Sequence, residues 1–171
     1  MRQVILNVGI SLDGYIARPN GSVDFLSGPP SGMAEFFRTI DVGIMGRKTL
    51  DAAIELNGGK YDGHGLAAFV MTRSAPARQL KGVTFTSQTP VELVAELRAR
   101  AGKNIWLMGG GELAREFLTA QLVDEIHLGV VPVLIGAGIP VFPPGFPERR
   151  LELLENKSHP GGVLTLKYRC R

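Results

Sequence analysis

Three apolar runs in this chain end alike. Ile44-Met45 leads into Gly46-Arg47-Lys48-Thr49, Val70-Met71 into Thr72-Arg73-Ser74, and Leu107-Met108 into Gly109-Gly110-Gly111-Glu112. Each run has the length and composition of a buried strand, and helically spaced apolar residues follow the first and the third. Strands that alternate with helices require parallel pairing, because the helix carries the chain back to the start of the next strand. In a parallel sheet the three loops share one edge, outside the carboxyl ends of the strands, where open α/β sheets bind ligands.

The rest of the chain extends this pattern. Val4 to Ile10 reads as the first strand and stops at Asp13-Gly14. Met33, Phe36, Phe37 and Ile40 have helical spacing with Ser31 as N-cap, Val42 to Met45 is a strand, and Thr49 to Leu56 a second helix. Strands follow at Leu66 to Met71 and Val83 to Thr86. Thr89-Pro90-Val91-Glu92 is a capping box with proline at the first helical position, and Gly102 is the expected stop of that helix. Ile105 to Met108 is a strand, and Leu113, Phe117 and Leu118 fall on one side of the next helix. From Val123 the rhythm changes: Ile126, Leu128 and Val130 alternate with polar or small residues, and strands near Leu151 to Glu155 and Val163 to Tyr168 are expected to be antiparallel to the others. The expected architecture is one α/β domain over residues 1–171, a mainly parallel mixed sheet with helices on both faces.

Composition narrows the function. With 44% hydrophobic and 20% charged residues, the 171-residue chain has the means for a single packed core. Its 19 basic and 16 acidic residues are dispersed, which argues against a nucleic-acid partner and suits a small anionic ligand. The one cysteine, Cys170, has no disulfide partner. Asn7, Gly9, Ser11 and Asp13 break the N-terminal apolar run before it makes a signal sequence, and no other run reaches the roughly 18 residues of a membrane span. A cytoplasmic protein without membrane contact is the expectation.

Two of the three edge loops open helices, whose unpaired N–H groups and positive dipole ends favour phosphate. Arg47, Lys48 and Arg73 add charge there. Hydrogen bonds to charged groups contribute roughly 1.5 to 3 kcal/mol each, enough to select a ligand with an additional phosphate. Read singly, Gly109 to Gly111 is a tight turn and Arg47-Lys48 a solvated helix start; their coincidence on one edge favours a phosphorylated dinucleotide such as NADP(H). Gly109-x-Gly111-x-x-Ala114 matches a dinucleotide fingerprint formally, but it comes late in the chain and lacks the acidic residue closing a second strand. Gly46-Arg47-Lys48-Thr49 lacks the glycine spacing of a P-loop. His64, His127 and His159 are too scattered for a metal site, so no metal is expected, and His127 reads as a strand histidine. No nucleophile elbow occurs.

At these residues the sequence resembles the dihydrofolate reductase-like fold, and more closely the riboflavin-biosynthesis reductase domain found C-terminal to a pyrimidine deaminase. The resemblance is carried by Ser11-Leu12-Asp13-Gly14-Tyr15-Ile16-Ala17, by Met45-Gly46-Arg47-Lys48-Thr49, by Gly109-Gly110-Gly111-Glu112-Leu113 with Phe117-Leu118, and by Leu122-Val123-Asp124-Glu125 leading to Pro132-Val133-Leu134-Ile135-Gly136. It implies NADPH as hydride donor, bound by Gly46, Arg47, Lys48, Thr49, Thr72 and Arg73 and by the loop Gly109, Gly110, Gly111, Glu112 and Leu113. It also implies that the loop from Ser11 to Asp24 borders nicotinamide and substrate, with Ile16 and Ala17 near the ring. The carboxylate with which folate reductases hold the pterin aligns with Pro30, so a reductase of riboflavin biosynthesis, without its deaminase partner, is the nearer match. A dihydrofolate or pterin reductase remains the alternative within this fold.

The candidate catalytic residues are Asp13, Asp24 and Glu35, and the candidate substrate contacts are Tyr15, Asp24 and Glu35. Each has a structural reading too: Asp13 as a hairpin turn residue, Asp24 as a loop cap, Glu35 as an exposed helix glutamate. The expected reaction is hydride transfer to an electron-poor carbon of a small heterocycle, with proximity supplying roughly 7 to 11 kcal/mol of the barrier reduction. A nucleotide-binding module without turnover and a sugar-phosphate transferase or isomerase are the rival classes. Relatives of this type pair as homodimers, and Val130 to Val141 either forms such an interface or packs internally.

Overall fold

The computed structural model describes residues 1–26, 32–74 and 79–171; Pro30 and the Ser31 N-cap lie outside them. Among the described residues, ten strands and four α-helices follow in the order β1 (Val4–Ser11), β2 (Tyr15–Ala17), α1 (Met33–Thr39), β3 (Ile40–Gly46), α2 (Arg47–Leu56), β4 (Ala67–Met71), β5 (Val83–Thr86), α3 (Pro90–Ala99), β6 (Asn104–Leu107), α4 (Gly111–Thr119), β7 (Glu125–Val131), β8 (Ile139–Pro140), β9 (Leu151–Ser158) and β10 (Leu164–Cys170). Eight strands form one sheet in the order β5-β4-β3-β6-β1-β7-β10-β9. From β5 to β7 every pairing is parallel, and β10 runs antiparallel to both β7 and β9. The expected antiparallel pairing at this end is present, but β10 alone runs against the parallel strands, and β9, antiparallel to β10, points the same way as they do.

Alternation along the strands sorts the core into two layers. Val4, Leu6, Val42, Ile44, Phe69, Ile105, Leu107 and Ile126 pack with residues of α3 and α4. Met45, Ala68 and Val70 pack with Leu50 of α2, while Ile5 and Trp106 pack with Phe36 and Phe37 of α1. Helices thus cover both faces. Phe117, Leu6, Leu93, Leu97 and Leu107 are among the fully buried side chains, and burying each contributes roughly 1.5 to 3 kcal/mol.

The α3 capping box is formed: Glu92 N donates to Thr89 Oγ1 at 3.3 Å, and Thr89 N donates to Glu92 Oε2 at 2.8 Å. The helix stops differently from the sequence expectation. It ends at Ala99, Arg100 is already extended, and Gly102 is not left-handed. The partner for the helix end is Arg2, which is buried. Its Nη1 donates to the carbonyl of Leu97 at 3.1 Å, its Nε to that of Lys103 at 2.6 Å, and its Nη2 pairs with Asp41. A Cβ on Gly102 would collide with Asp41 and with the Arg2 guanidinium, so the glycine there makes room for the ion pair.

The start of α2 and the short strands β2 and β8 escape the sequence pattern. α2 begins at Arg47, two residues before the expected start, because Gly46 is its N-cap with φ −83° and ψ 165°. β2 and β8 form a separate antiparallel ribbon. Val141 N donates to the Gly14 carbonyl at 3.0 Å, which fastens the ribbon beyond the end of β1. Part of the Val130 to Val141 segment therefore packs within the chain. Among the described residues, no helix is long and apolar enough to cross a membrane, and no three His, Cys, Asp or Glu side chains converge as metal ligands.

Candidate functional site

The chain leaves β3 for β4 on one side and β6 for β7 on the other, although β3 and β6 are neighbours. This reversal opens a crevice between their carboxyl ends, the position at which open α/β sheets take ligands. Leu6, Leu107 and Ile44 share one row of the sheet. β6 ends in that row and β3 two residues later, whereas β1 continues to Ser11 and β7, from Ile126 in the same row, to Val131. The two long strands therefore stand beyond the crevice as a wall.

Gly46-Arg47-Lys48-Thr49 and Gly109-Gly110-Gly111 meet across this crevice. Thr49 Oγ1 donates to the Gly109 carbonyl at 3.4 Å. Gly109 and Gly110 have φ of +107° and +91°, and a Cβ on Gly110 would lie 3.2 Å from Thr49 Oγ1. Positive φ and close approach both require glycine there. A Cβ on Gly111 would run into the Pro140 carbonyl, so the start of α4 packs directly on the β2–β8 ribbon. Gly46 differs, because a Cβ there has no heavy atom within 4 Å. Neither α2 nor α4 has a side-chain cap, and the first turn of α2 holds no acidic residue. Two sets of helix N–H groups therefore open on one crevice.

The other sequence candidates fall around it unequally. Lys48 and Arg73 are exposed, and Thr72 Oγ1 accepts from Ser74 N at 3.2 Å where the chain leaves β4. Glu112 is exposed in the first turn of α4, while the Leu113 side chain is buried in the core, which leaves its backbone for the edge. Ile16 packs on Ile10, Val130 and Val141, and Ala17, paired with Ile139 in the ribbon, is buried. Tyr15 N donates to Ser11 Oγ at 3.0 Å. Asp13 accepts from the backbone of Ile135 at 3.1 Å and of Gly136 at 2.8 Å. The hydrogen bond from Ser11 does most to hold its carboxyl below the usual range, and these amides add to it. Asp24 is gripped by one edge of the Arg18 guanidinium, Nε at 2.6 Å and Nη2 at 3.1 Å, and by Ser22 Oγ at 3.0 Å. Those bonds, from Arg18 first and then Ser22, lower its pKa to about 2. Glu35 is exposed in the first turn of α1.

Sequence reasoning passed over a polar row on the α1 side of the sheet. Asn7 and His127 are paired in register, and the Trp106 indole N–H donates to the Asn7 carbonyl at 2.9 Å. His127 Nε2 lies 2.9 Å from Glu125 Oε2 and its ring meets Phe36 edge-on. Burial pushes the imidazole below its ordinary pKa, against the pull of Glu125. One pleat further on, Gly9 and Gly129 face each other in register, with the Leu26 side chain resting over Gly9. The signal in the sequence was a polar residue inside each of two apolar strands.

Comparisons with known proteins place the fold in a family. The model of the RibD C-terminal domain family matches residues 2–165. The uncharacterized protein YwjB of Bacillus subtilis strain 168 is 33% identical over 171 residues, covering 98% of this chain and 97% of that protein. A crystal structure of a putative riboflavin biosynthesis protein from Shewanella sp. PV-4 superposes over 100% of this chain and 99% of its own with a TM-score of 0.86 at 23% identity. A Thermotoga maritima diaminohydroxyphosphoribosylaminopyrimidine deaminase/5-amino-6-(5-phosphoribosylamino)uracil reductase matches 99% of this chain but 57% of its own, with a TM-score of 0.75 at 15% identity. By fold and by sequence match together, the chain belongs to the RibD C-terminal domain family.

Proposed function

We propose that the protein is an NADPH-dependent reductase of a small heterocycle, its substrate most like the uracil derivative for which the Thermotoga protein is named. The family supports a reductase. The observation that carries the cofactor is the pair of helix N-termini without side-chain caps, brought together by Thr49 and Gly109 at the β3–β6 crevice. Uncapped amides, left-handed glycines and the open space beside Gly46 fit a pyrophosphate, and Arg47, Lys48, Thr72 and Arg73 at the same edge fit a further phosphate.

Bound there, NADPH supplies the hydride. The chain's own part is to hold and orient. Gly46 to Thr49 and Gly109 to Gly111 offer backbone N–H groups to phosphate oxygens. Ile16, Ala17 and the projecting ends of β1 and β7 wall the far side and exclude water. Asp13, tied to Ile135 and Gly136, positions the loop beyond β1. Its lowered pKa makes it a poor proton donor at neutral pH. Asp24, engaged by Arg18, orders its own loop in the same way. The proton reaches the product from water in this reading. A cytoplasmic homodimer belongs to the same proposal, and light scattering of the purified protein reads its mass.

The test is loss of NADPH absorbance with 5-amino-6-(5-phosphoribosylamino)uracil, other aminouracils and dihydropterins as substrates. Turnover with an aminouracil supports the reading. NADPH binding with no oxidation by any of them replaces it with a nucleotide-binding module.

A further inference from the structure

Arg47 is the first residue of α2, yet its guanidinium does not point across the β3–β6 crevice. Its Nε donates to both carboxylate oxygens of Asp51, one turn on, at 3.0 and 3.2 Å. Its Cζ lies 5.8 Å from the centre of the Phe85 ring. Phe85 is in β5, two strands from β3 in the order β5-β4-β3, and pairs with Val70 near the end of β4. The side chain is therefore drawn sideways over the end of β4, where Thr72 and Arg73 leave the sheet. Among the described residues neither Nη group has a hydrogen-bond partner. One edge of the guanidinium is held and the other is open, the arrangement that receives two phosphate oxygens in parallel.

We propose that Asp51 and Phe85 are positioning residues that hold Arg47 over the end of β4 and thereby set the preference for a dinucleotide with an additional phosphate. This rests on the NADPH reading above. An exposed arginine without these supports samples many rotamers, and ordering it at binding weakens the contact. Asp51 is itself acidic beside the proposed phosphate, so its charge opposes binding while its oxygens aim the guanidinium. The two effects separate by substitution. Asp51→Asn and Asp51→Ala both remove the charge, but only asparagine leaves an oxygen to accept the Nε–H.

The experiment measures NADPH and NADH dissociation constants by calorimetry for wild type, Asp51→Asn, Asp51→Ala, Phe85→Leu and Arg47→Ala, with Asp51→Asn and Asp51→Ala repeated in the Arg47→Ala background. The expected NADPH-over-NADH preference of Asp51→Asn is about two- to tenfold that of Asp51→Ala, the effect of ordering one flexible side chain. That difference vanishes in the Arg47→Ala background, and Phe85→Leu lowers the preference in the same direction. Thermal melts confirm folding, which the exposure of the Asp51 side chain, 55%, makes safe. Equal preferences for Asp51→Asn and Asp51→Ala, with Arg47→Ala still abolishing discrimination, overturn this inference alone. A wild type without discrimination overturns it together with the NADPH reading.

Discussion

Gly46→Asp separates stability from binding, because the account predicts opposite signs for the two. Gly46 is the N-cap of α2, its φ and ψ suit any N-cap residue, and a Cβ there meets no heavy atom within 4 Å. An aspartate fits without strain and its carboxylate accepts from the first-turn amides. Relative to glycine, the cap adds a few tenths of a kcal/mol and the helix dipole about 0.3 to 1 kcal/mol. For a chain of this size, a gain of about 0.5 to 1 kcal/mol raises Tm by roughly 1 to 4 °C. Those amides are also the proposed phosphate donors. A carboxylate about 4 Å from a phosphate charge is repelled by about 4 kcal/mol at an effective dielectric of ~20. Even half of that, after screening by salt, is roughly a thirtyfold loss of affinity. Urea denaturation gives the stability and calorimetry the NADPH dissociation constant, with Gly46→Ala as the steric control. A Gly46→Asp protein that is as stable as wild type and binds NADPH within about twofold of it refutes the assignment of α2 as the anion site.

Other consequences lie farther from the crevice. Arg2→Met removes a buried cation from two carbonyls and from Asp41, which solvent partly screens, and losing hydrogen bonds to a charged group costs about 1.5 to 3 kcal/mol, read as a lower urea midpoint with unchanged slope. A loss under 1 kcal/mol contradicts the role given to Arg2 at the end of α3. A carbon-detected NMR titration is expected to place Asp24 at about 2 and to return it toward its ordinary value in Arg18→Gln. Since its pKa is depressed on folding, the loop's ordering is complete at pH above the unfolded value and fades as pH falls toward 2. An NMR titration of the imidazole is expected to place His127 below its ordinary value, and Glu125→Gln to lower it further by removing the partner that favours the charged ring. Its neutral form therefore supports the fold above the unfolded pKa, and that support is lost as pH falls through the lower folded one.

Most of the sheet was legible because β1, β3, β4 and β6 carry dense apolar runs and α3 carries its cap in four residues. The candidate edge was legible for the same reason: the topology needed only the order of strands and helices to bring Gly46 and Gly109 together. What escaped depends on contacts between distant residues. β2 and β8 are three and two residues long, too short for periodicity, and exist because residues 15–17 meet residues 139–140. Gly102 looked like a helix stop, yet the stop is made by Arg2, about a hundred positions earlier, and the glycine clears space for it. The start of α2 was misplaced because its N-cap is a glycine with no side-chain signature. Phe85 gives no sign in the sequence that it lies beside Arg47, since only the order β5-β4-β3 brings them close.

Whether a phosphorylated dinucleotide binds at the β3–β6 crevice is decided by a paired titration with NADPH and NADH. Trp106, the sole tryptophan, lies in β6 just before the glycine loop and reports binding by its fluorescence, with calorimetry as the independent readout. Tight NADPH binding is expected, with NADH at least about tenfold weaker, a difference of about 1.4 kcal/mol. Failure of both nucleotides to bind by either method contradicts it.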